Sequence, residues 1–112
     1  MEKQIDVVAM QTRLRQQQKV LVERLKVERE KAKPGSMANP DRADLAHEYA
    51  SRARRISMVE QLEDQIEEIN KAIQRIEVGT YGPCTNCGNS ILPERLEALP
   101  HAELCIDCQR AK

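Results

Sequence analysis

Two long stretches of the chain contain neither glycine nor proline, and this feature constrains the fold more than any other. The first runs from Glu2 to about Ala32, and the second runs from Asp41 to Val78. Both are rich in residues that favour helix: glutamine, arginine, lysine, glutamate and leucine. Residues 33–40, which separate the two stretches, contain two prolines and one glycine. The sequence therefore predicts two long helices joined by a short turn.

Each predicted helix carries an apolar stripe with coiled-coil spacing. In the first helix, alternating steps of four and three define the positions Val7, Gln11, Leu14, Gln18, Leu21, Leu25, Glu28 and Ala32. The same steps in the second helix define Leu45, Glu48, Arg52, Arg55, Val59, Leu62, Ile66, Ile69, Ile73 and Ile76. The chain has no Phe or Trp, so a narrow helical seam suits it better than a broad core. We expect an antiparallel coiled-coil hairpin over residues 1–78, in which each helix covers the stripe of the other.

The expected register follows from the position of the turn. Folding the chain about Met37 places Ile69 of the second helix near Ile5 of the first. In that register Ile73 and Ile76 extend beyond the first helix. We therefore expect these two isoleucines to pack on the segment that follows the hairpin.

That segment, residues 79–112, contains all four cysteines as two Cys-x-x-Cys pairs separated by seventeen residues: Cys84, Cys87, Cys105 and Cys108. Each pair can present two thiolates to one ion, and four thiolates form the tetrahedral ligand set that zinc prefers. Gly88 gives the backbone the freedom to turn its amides toward the sulfurs, and Gly79 suits the C-cap of the second helix. We expect a zinc-finger module with one structural zinc ion and no open coordination position.

Two disulfides, or a redox-active pair of Cys-x-x-Cys motifs, are the alternatives to the zinc site. Disulfides are typical of secreted chains, and redox pairs usually occur in a thioredoxin-like βαβ context that is missing from this sequence. The finger has so few large apolar residues that we expect it to need its metal in order to fold. Four thiolates saturate the ion, so His101 and His47 are expected to be solvent-exposed.

Two carboxylates lie where the hairpin reverses, within residues 39–46: Asp41 and Asp44, followed by Ala46. A spacing of three places both acids on one face of the first helical turn. Asp41 can be the N-cap and Asp44 its acidic partner in a capping box. Alternatively, they form an acidic tip that approaches a cation or a basic cleft in another protein. The spacing alone fits either interpretation.

Charge and composition limit the class of partner. The chain has 18 Lys and Arg against 18 Asp and Glu, and its only aromatic residues are Tyr49 and Tyr81. Sequence-independent DNA binding needs a wide basic surface or a stacking platform, and neither is expected here. No run approaches the roughly 20 apolar residues that span a bilayer, and no signal peptide is evident. We expect a cytoplasmic protein whose partner is another protein, with no binding to DNA or membrane.

These motifs together resemble the DksA/TraR family of bacterial transcription factors. The finger resembles that of the family at residues 81–88, 95–98 and 104–108. The tip resembles the family motif of two aspartates and an alanine, which falls on Asp41, Asp44 and Ala46. The resemblance covers roughly residues 39–108 and reaches the first helix by pattern only.

The resemblance implies a regulator without enzymatic activity that enters the secondary channel of RNA polymerase and modulates initiation through its acidic tip. It also implies that the zinc module braces the base of the hairpin. Family members bind the alarmone ppGpp partly through basic residues of the second helix, but residues 61–68 here are acidic. They are unsuited to a polyphosphate, so we do not expect strong dependence on ppGpp.

Other functions are compatible with the same residues. The tip carboxylates could hold Mg²⁺ in a transcript-cleavage factor acting in the same channel, since hard cations choose oxygen ligands. The chain could instead be a non-transcriptional adaptor in which the zinc ribbon and coiled coil bind other proteins. A thiol redox switch at the finger is the remaining alternative.

Overall fold

The computed structural model describes residues 5–32 and 42–112. They form four helices: α1 (Val7–Ala32), α2 (Arg42–Val78), α3 (Pro93–Ala98) and α4 (Ile106–Ala111). Within these ranges there is no strand, and the extended pairing is an isolated antiparallel bridge between Pro83 and Ser90. The prediction of a mostly helical chain, with two long helices and a small four-cysteine finger, is confirmed. The division into a hairpin over residues 1–78 and a finger over residues 79–112 stays a prediction. Among the described helices, none has the length and apolarity that crossing a membrane requires.

Helix α1 begins later than the sequence predicts, because Asp6 caps it. The backbone N–H of Ala9 donates to Asp6 Oδ1 at 3.1 Å, and the backbone N–H of Met10 donates to the Asp6 carbonyl at 3.0 Å. A carboxylate that accepts from the third helical residue satisfies one of the free amides at a helix start. The expected start at Glu2 is outside the described residues, but Ile5 and Asp6 are not helical.

Helix α2 ends at Val78, as predicted, through the glycine that follows it. Gly79 has a φ of +80°, in the left-handed region that glycine adopts without a steric penalty. Its N–H donates to the Ile76 carbonyl at 3.2 Å, and the Thr80 N–H donates to the Arg75 carbonyl at 2.8 Å. These two bonds form the Schellman motif, so the prediction of Gly79 as a C-cap is confirmed.

Contacts divide the chain into two units. The first contains Met1–Lys19 and Glu67–Lys112, and the second contains Val20–Ile66. In the first unit, Arg15 Nη2 lies 3.3 Å from Glu77 Oε1, and the Gln18 side-chain amide donates to Asn70. Because the earlier residue of α1 contacts the later residue of α2, the two helices run antiparallel in this unit.

The same direction is found in the second unit. Arg29 Nη2 lies 3.1 Å from Glu63 Oε1, and Arg55 Nη1 donates to the Lys31 carbonyl at 3.2 Å. Lys31 is the penultimate residue of α1, whereas Arg55 is the fourteenth residue of α2. The Arg55 guanidinium thus satisfies one of the carbonyls left free at the end of α1.

The predicted register about Met37 is wrong. Ile73 and Ile76 lie between Asn70 and Glu77, the α2 residues that contact α1 in the first unit, and both are at least half-buried. They therefore pack along α1 and do not extend beyond it. The physical reason is that the unbroken apolar part of the α2 stripe removes more surface from water when it lies against α1.

The predicted α2 stripe is confirmed. The α1 stripe is confirmed from Gln11 to Glu28, and the side chain of Ala32 lies outside what the structure describes. All ten predicted stripe positions of α2 are buried or half-buried, including the polar Glu48, Arg52 and Arg55. In α1, Leu14 and Leu25 are buried, whereas Val7 is exposed at its edge. Among the described residues of α1 and α2, the stripes miss two buried ones, Met10 and Ala72, because alternating steps of four and three define only a narrow line.

A core substitution tests how much this packing contributes. Leu14 is completely buried, and Val8 on the same helix is 72 % exposed. We expect Leu14→Ala to lower the free energy of unfolding by about 2–5 kcal/mol, because it leaves a cavity as well as losing apolar burial. Val8→Ala is the control and is expected to change it by less than about 0.5 kcal/mol. Urea unfolding followed by circular dichroism measures both, and equal effects would contradict the packing of Leu14.

Candidate metal centre

The first cysteine pair lies in a tight turn before α3. The Gly88 N–H donates to the Cys84 carbonyl at 3.0 Å, and the Cys84 N–H donates to the Asn89 carbonyl at 2.7 Å. Gly88 has a φ of +79°, a conformation that other residues adopt only with strain. The expectation that Gly88 provides the backbone freedom for this turn is confirmed, and the turn holds Cys84 and Cys87 on one side of the backbone.

The second pair is positioned by α4. Cys105 immediately precedes this helix and Cys108 is its third residue, so the two side chains are neighbours at the helix start. The Thr85 N–H donates to the Glu103 carbonyl at 2.9 Å. This backbone bond brings the segment before the second pair alongside the turn that contains the first pair.

The four cysteine sulfurs converge. All four Sγ atoms lie within 4.8 Å of one another, and Cys87 Sγ is 3.7 Å from Cys105 Sγ. That separation is much longer than a disulfide bond of about 2.05 Å. Asn86 Nδ2 donates to Cys108 Sγ at 3.3 Å, which helps to orient this sulfur. The structure therefore brings together all four cysteines that the sequence selects, in an arrangement that can hold one metal ion.

The electrostatics of the cluster also favour a bound cation. Backbone N–H groups of Cys105 and Cys87 lower the pKa of Cys84 to about 6. At Cys108 the Asn86 amide lowers the pKa, but the Cys105 thiol, burial and the other two thiols raise it to about 12. Thiolates this close repel one another, so only a cation between them allows all four to lose their protons.

The finger has a small core that includes a residue from the start of the chain. Its buried members are Cys84, Ile91, Leu96 and Ala102, and the side chains packed against them include Ile5, Tyr81 and Leu104. The sequence register places Ile5 near Ile69, whereas the structure places it on the finger. The apolar stripes do not predict this contact, because Ile5 precedes α1 and follows no helical period.

The expectation of exposed histidines is only half right. His47 is exposed on α2. His101 is partly buried: its Nε2 lies 3.6 Å from Glu68 Oε2, and its buried Nδ1 has no hydrogen-bond partner among the described residues. The reason is that residues 99–104 lie against α2, a contact that cysteine spacing does not reveal.

The tip residues are described only in part. Asp41 is outside the described residues, and Asp44 is the third residue of α2. Ala46 is exposed on the same helix. The assignment of Asp41, Asp44 and Ala46 to a functional tip stays a prediction.

Comparisons with known proteins match the finger and extend beyond it. The model of the prokaryotic dksA/traR C4-type zinc finger matches residues 79–112. The RNA polymerase-binding transcription factor DksA of Escherichia coli is 38% identical over 69 residues, which are 62% of this chain and 44% of the relative. General stress protein 16O of Bacillus subtilis is 46% identical over 44 residues, or 39% of this chain and 27% of the relative. The chain thus spans less than half the length of these curated relatives.

Solved structures agree with the sequence matches over nearly the whole chain. Transcription factor DksA2 from Pseudomonas aeruginosa has a TM-score of 0.79 and 26% identity, covering 94% of this chain and 81% of that one. The DnaK suppressor protein of Agrobacterium tumefaciens has a TM-score of 0.65 and 30% identity, covering 98% and 96%. The C4-type family model identifies zinc as the metal for which the cysteines are positioned. The chain belongs to the DksA/TraR family of zinc-finger proteins.

Proposed function

We propose that this protein is a cytoplasmic, non-enzymatic regulator of transcription that binds RNA polymerase through its secondary channel. In this proposal the tip residues Asp41, Asp44 and Ala46 modulate initiation from within the channel. The protein does so without binding DNA, consistent with its zero formal net charge.

The match to the E. coli relative carries the proposal. That relative is named an RNA polymerase-binding transcription factor, and 69 residues align with it. The finger contributes only residues 79–112, so the alignment extends well beyond the zinc module. A shared finger alone would support a shared metal, whereas similarity that extends beyond it supports a shared partner.

The proposed role of the finger is structural. Cys84, Cys87, Cys105 and Cys108 are the proposed zinc ligands, and a bound zinc ion would supply a cross-link between the two cysteine pairs. Four sulfur ligands leave no coordination position for a substrate. The finger then holds the segment just before α1 through Ile5 and the last turn of α2 through Arg75.

Purified RNA polymerase tests the proposal against its alternatives. Three measurements are needed on the full chain: binding to polymerase in competition with a labelled channel-binding factor, initiation at a promoter, and cleavage of a stalled transcript. We expect competitive binding, altered initiation and no cleavage, with no binding to promoter DNA alone. Stimulated cleavage that depends on Mg²⁺ would favour the cleavage factor, whereas failure to bind polymerase would favour the adaptor.

We further expect that ppGpp has little influence on the effect of this protein on RNA polymerase. The stretch 63–68 of α2 carries four carboxylates. In the groove where α2 meets the finger, Glu68 and Glu103 lie among the lining residues together with Arg95 and Lys112, so the groove has as many carboxylates as permanent cations. Carboxylates repel a polyphosphate, so a titration of initiation with ppGpp is expected to shift the half-maximal protein concentration by less than about twofold. A large shift that disappears when Arg95 or Lys112 of this groove is replaced by glutamine would show that a ppGpp site exists.

A further inference from the structure

A loop of the finger offers consecutive backbone carbonyls to side chains outside it. The loop, residues 99–104, connects α3 to the segment before α4. Tyr81 Oη donates to the Pro100 carbonyl at 2.9 Å. Arg75 Nη2 lies 3.5 Å from the His101 carbonyl and 3.4 Å from the Ala102 carbonyl. We call residues 99–104 the docking loop, because the Arg75 contacts hold it against the end of α2.

Arg75 is the member of this set that belongs to α2. Its side chain is only 14% exposed, and its Nη1 is 4.0 Å from Glu103 Oε2. A guanidinium remains charged at all accessible pH values and presents several donors in a fixed plane. A partly buried charge of this kind needs its acceptors, since losing them leaves an ion without compensation. Arg75 therefore depends on the docking loop being ordered.

The same loop is connected to the cysteine cluster. Its Glu103 carbonyl accepts from the N–H of Thr85, which follows Cys84. Its Ala102 packs in the core that contains Cys84, and its Leu104 carbonyl accepts from Arg95 Nε at 3.1 Å. Cys105 follows the loop directly. Bringing the four cysteines together thus fixes the loop in the conformation that Arg75 requires.

We propose that Arg75 couples zinc binding at the four cysteines to the stability of the last turns of α2. When zinc holds the cysteines together, the docking loop is ordered and its carbonyls accept hydrogen bonds from Arg75, which connect the last turn of α2 to the finger. When the metal is removed, the loop becomes disordered and Arg75 loses these acceptors. Coupling between two sites is reciprocal. If bound zinc favours the contacts between Arg75 and the docking loop by some factor, those contacts raise the affinity for zinc by the same factor.

The test compares zinc affinity and amide exchange in full-length variants. Arg75→Met keeps most of the apolar stem but removes every donor. We expect its zinc affinity, measured by competition with a chromogenic chelator, to fall about fivefold to tenfold. In the parent, stripping zinc is expected to speed amide exchange in residues 69–78, and in Arg75→Met this response is expected to be mostly lost. Arg29→Met is the matched control, because Arg29 pairs with Glu63 in the other unit; we expect it to change neither quantity.

Two further variants test the proposal if Arg75→Met does not fold. Arg75→Lys retains charge with a single ammonium, and Tyr81→Phe removes only the hydroxyl that donates to Pro100. Both are expected to lower zinc affinity by about twofold to fivefold. Parent-like zinc affinity in the folded variants, or an undiminished exchange response in Arg75→Met, would overturn the proposal. Since polymerase is absent from these measurements, their result is independent of the proposed function.

Discussion

Removing the zinc ion is expected to unfold the finger while leaving most of α1 and α2 helical. The hydrophobic core of the finger has four buried members, of which one is Ala102 and another is Cys84 itself. A core of this size cannot offset the conformational entropy that is lost when the whole finger becomes ordered. Structural zinc contributes about 10–16 kcal/mol in comparable small fingers. Metal loss is therefore the perturbation with the largest expected effect on stability.

Substitution of one ligand gives the sharpest form of this experiment. We expect the parent to contain one zinc ion per chain by elemental analysis and Cys108→Ser to lose more than about 100-fold in affinity, beyond the 10–100-fold typical of outer-shell changes. The amide resonances of residues 79–112 are then expected to lose their dispersion. Thr85→Ser is the control, because it changes an exposed side chain beside Cys84 that supplies no sulfur. A metal-free finger that stays ordered, or disulfides in freshly purified protein, would contradict the zinc assignment.

The features that the sequence predicts correctly are those with a local cause. The α2 stripe is visible because apolar spacing at a helical period determines which face is buried. The C-cap at Gly79 is predictable because this position needs a positive φ, which glycine adopts readily. The metal site is predictable because two cysteine pairs at this spacing suit one ion. In each case the physical requirement involves residues close in the chain, so one sequence is enough to recognise it.

The features that the sequence does not predict depend on contacts between segments that are distant in the chain. The position of the turn does not determine the register, because shifting α2 along α1 changes the match between the two apolar stripes very little. Specific contacts between the two helices determine the register. Gln18 with Asn70 and Arg55 with the Lys31 carbonyl are two such contacts. Ile5 on the finger and Arg75 on the docking loop are further examples. The start of α1 is an exception among the missed features, because it has a local signal: an aspartate such as Asp6 before an apolar helix start is a common N-cap.

The second large effect is expected at the tip, where Asp41→Asn combined with Asp44→Asn is expected to abolish regulation but leave polymerase binding largely intact. The two interpretations of these acids respond differently to amide substitution. Asparagine is as good an N-cap as aspartate, so capping alone predicts a change in unfolding free energy within about 0.5 kcal/mol and normal activity. If the charges act on polymerase, activity is expected to fall at least about tenfold, equivalent to ~1.4 kcal/mol, with the fold preserved.

A matched variant separates local charge from net charge. Glu60→Gln combined with Asp64→Asn also removes two carboxylates, in this case from exposed positions of α2 that lie outside residues 39–46. Thermal unfolding, competition for polymerase and initiation in vitro are measured for both variants and the parent. If the tip variant folds, binds and regulates like the parent, helix capping accounts for Asp41 and Asp44 and the acidic-tip mechanism is wrong. If it loses polymerase binding and the control does not, the tip anchors the protein to polymerase, and its role lies in affinity and not in regulation after docking.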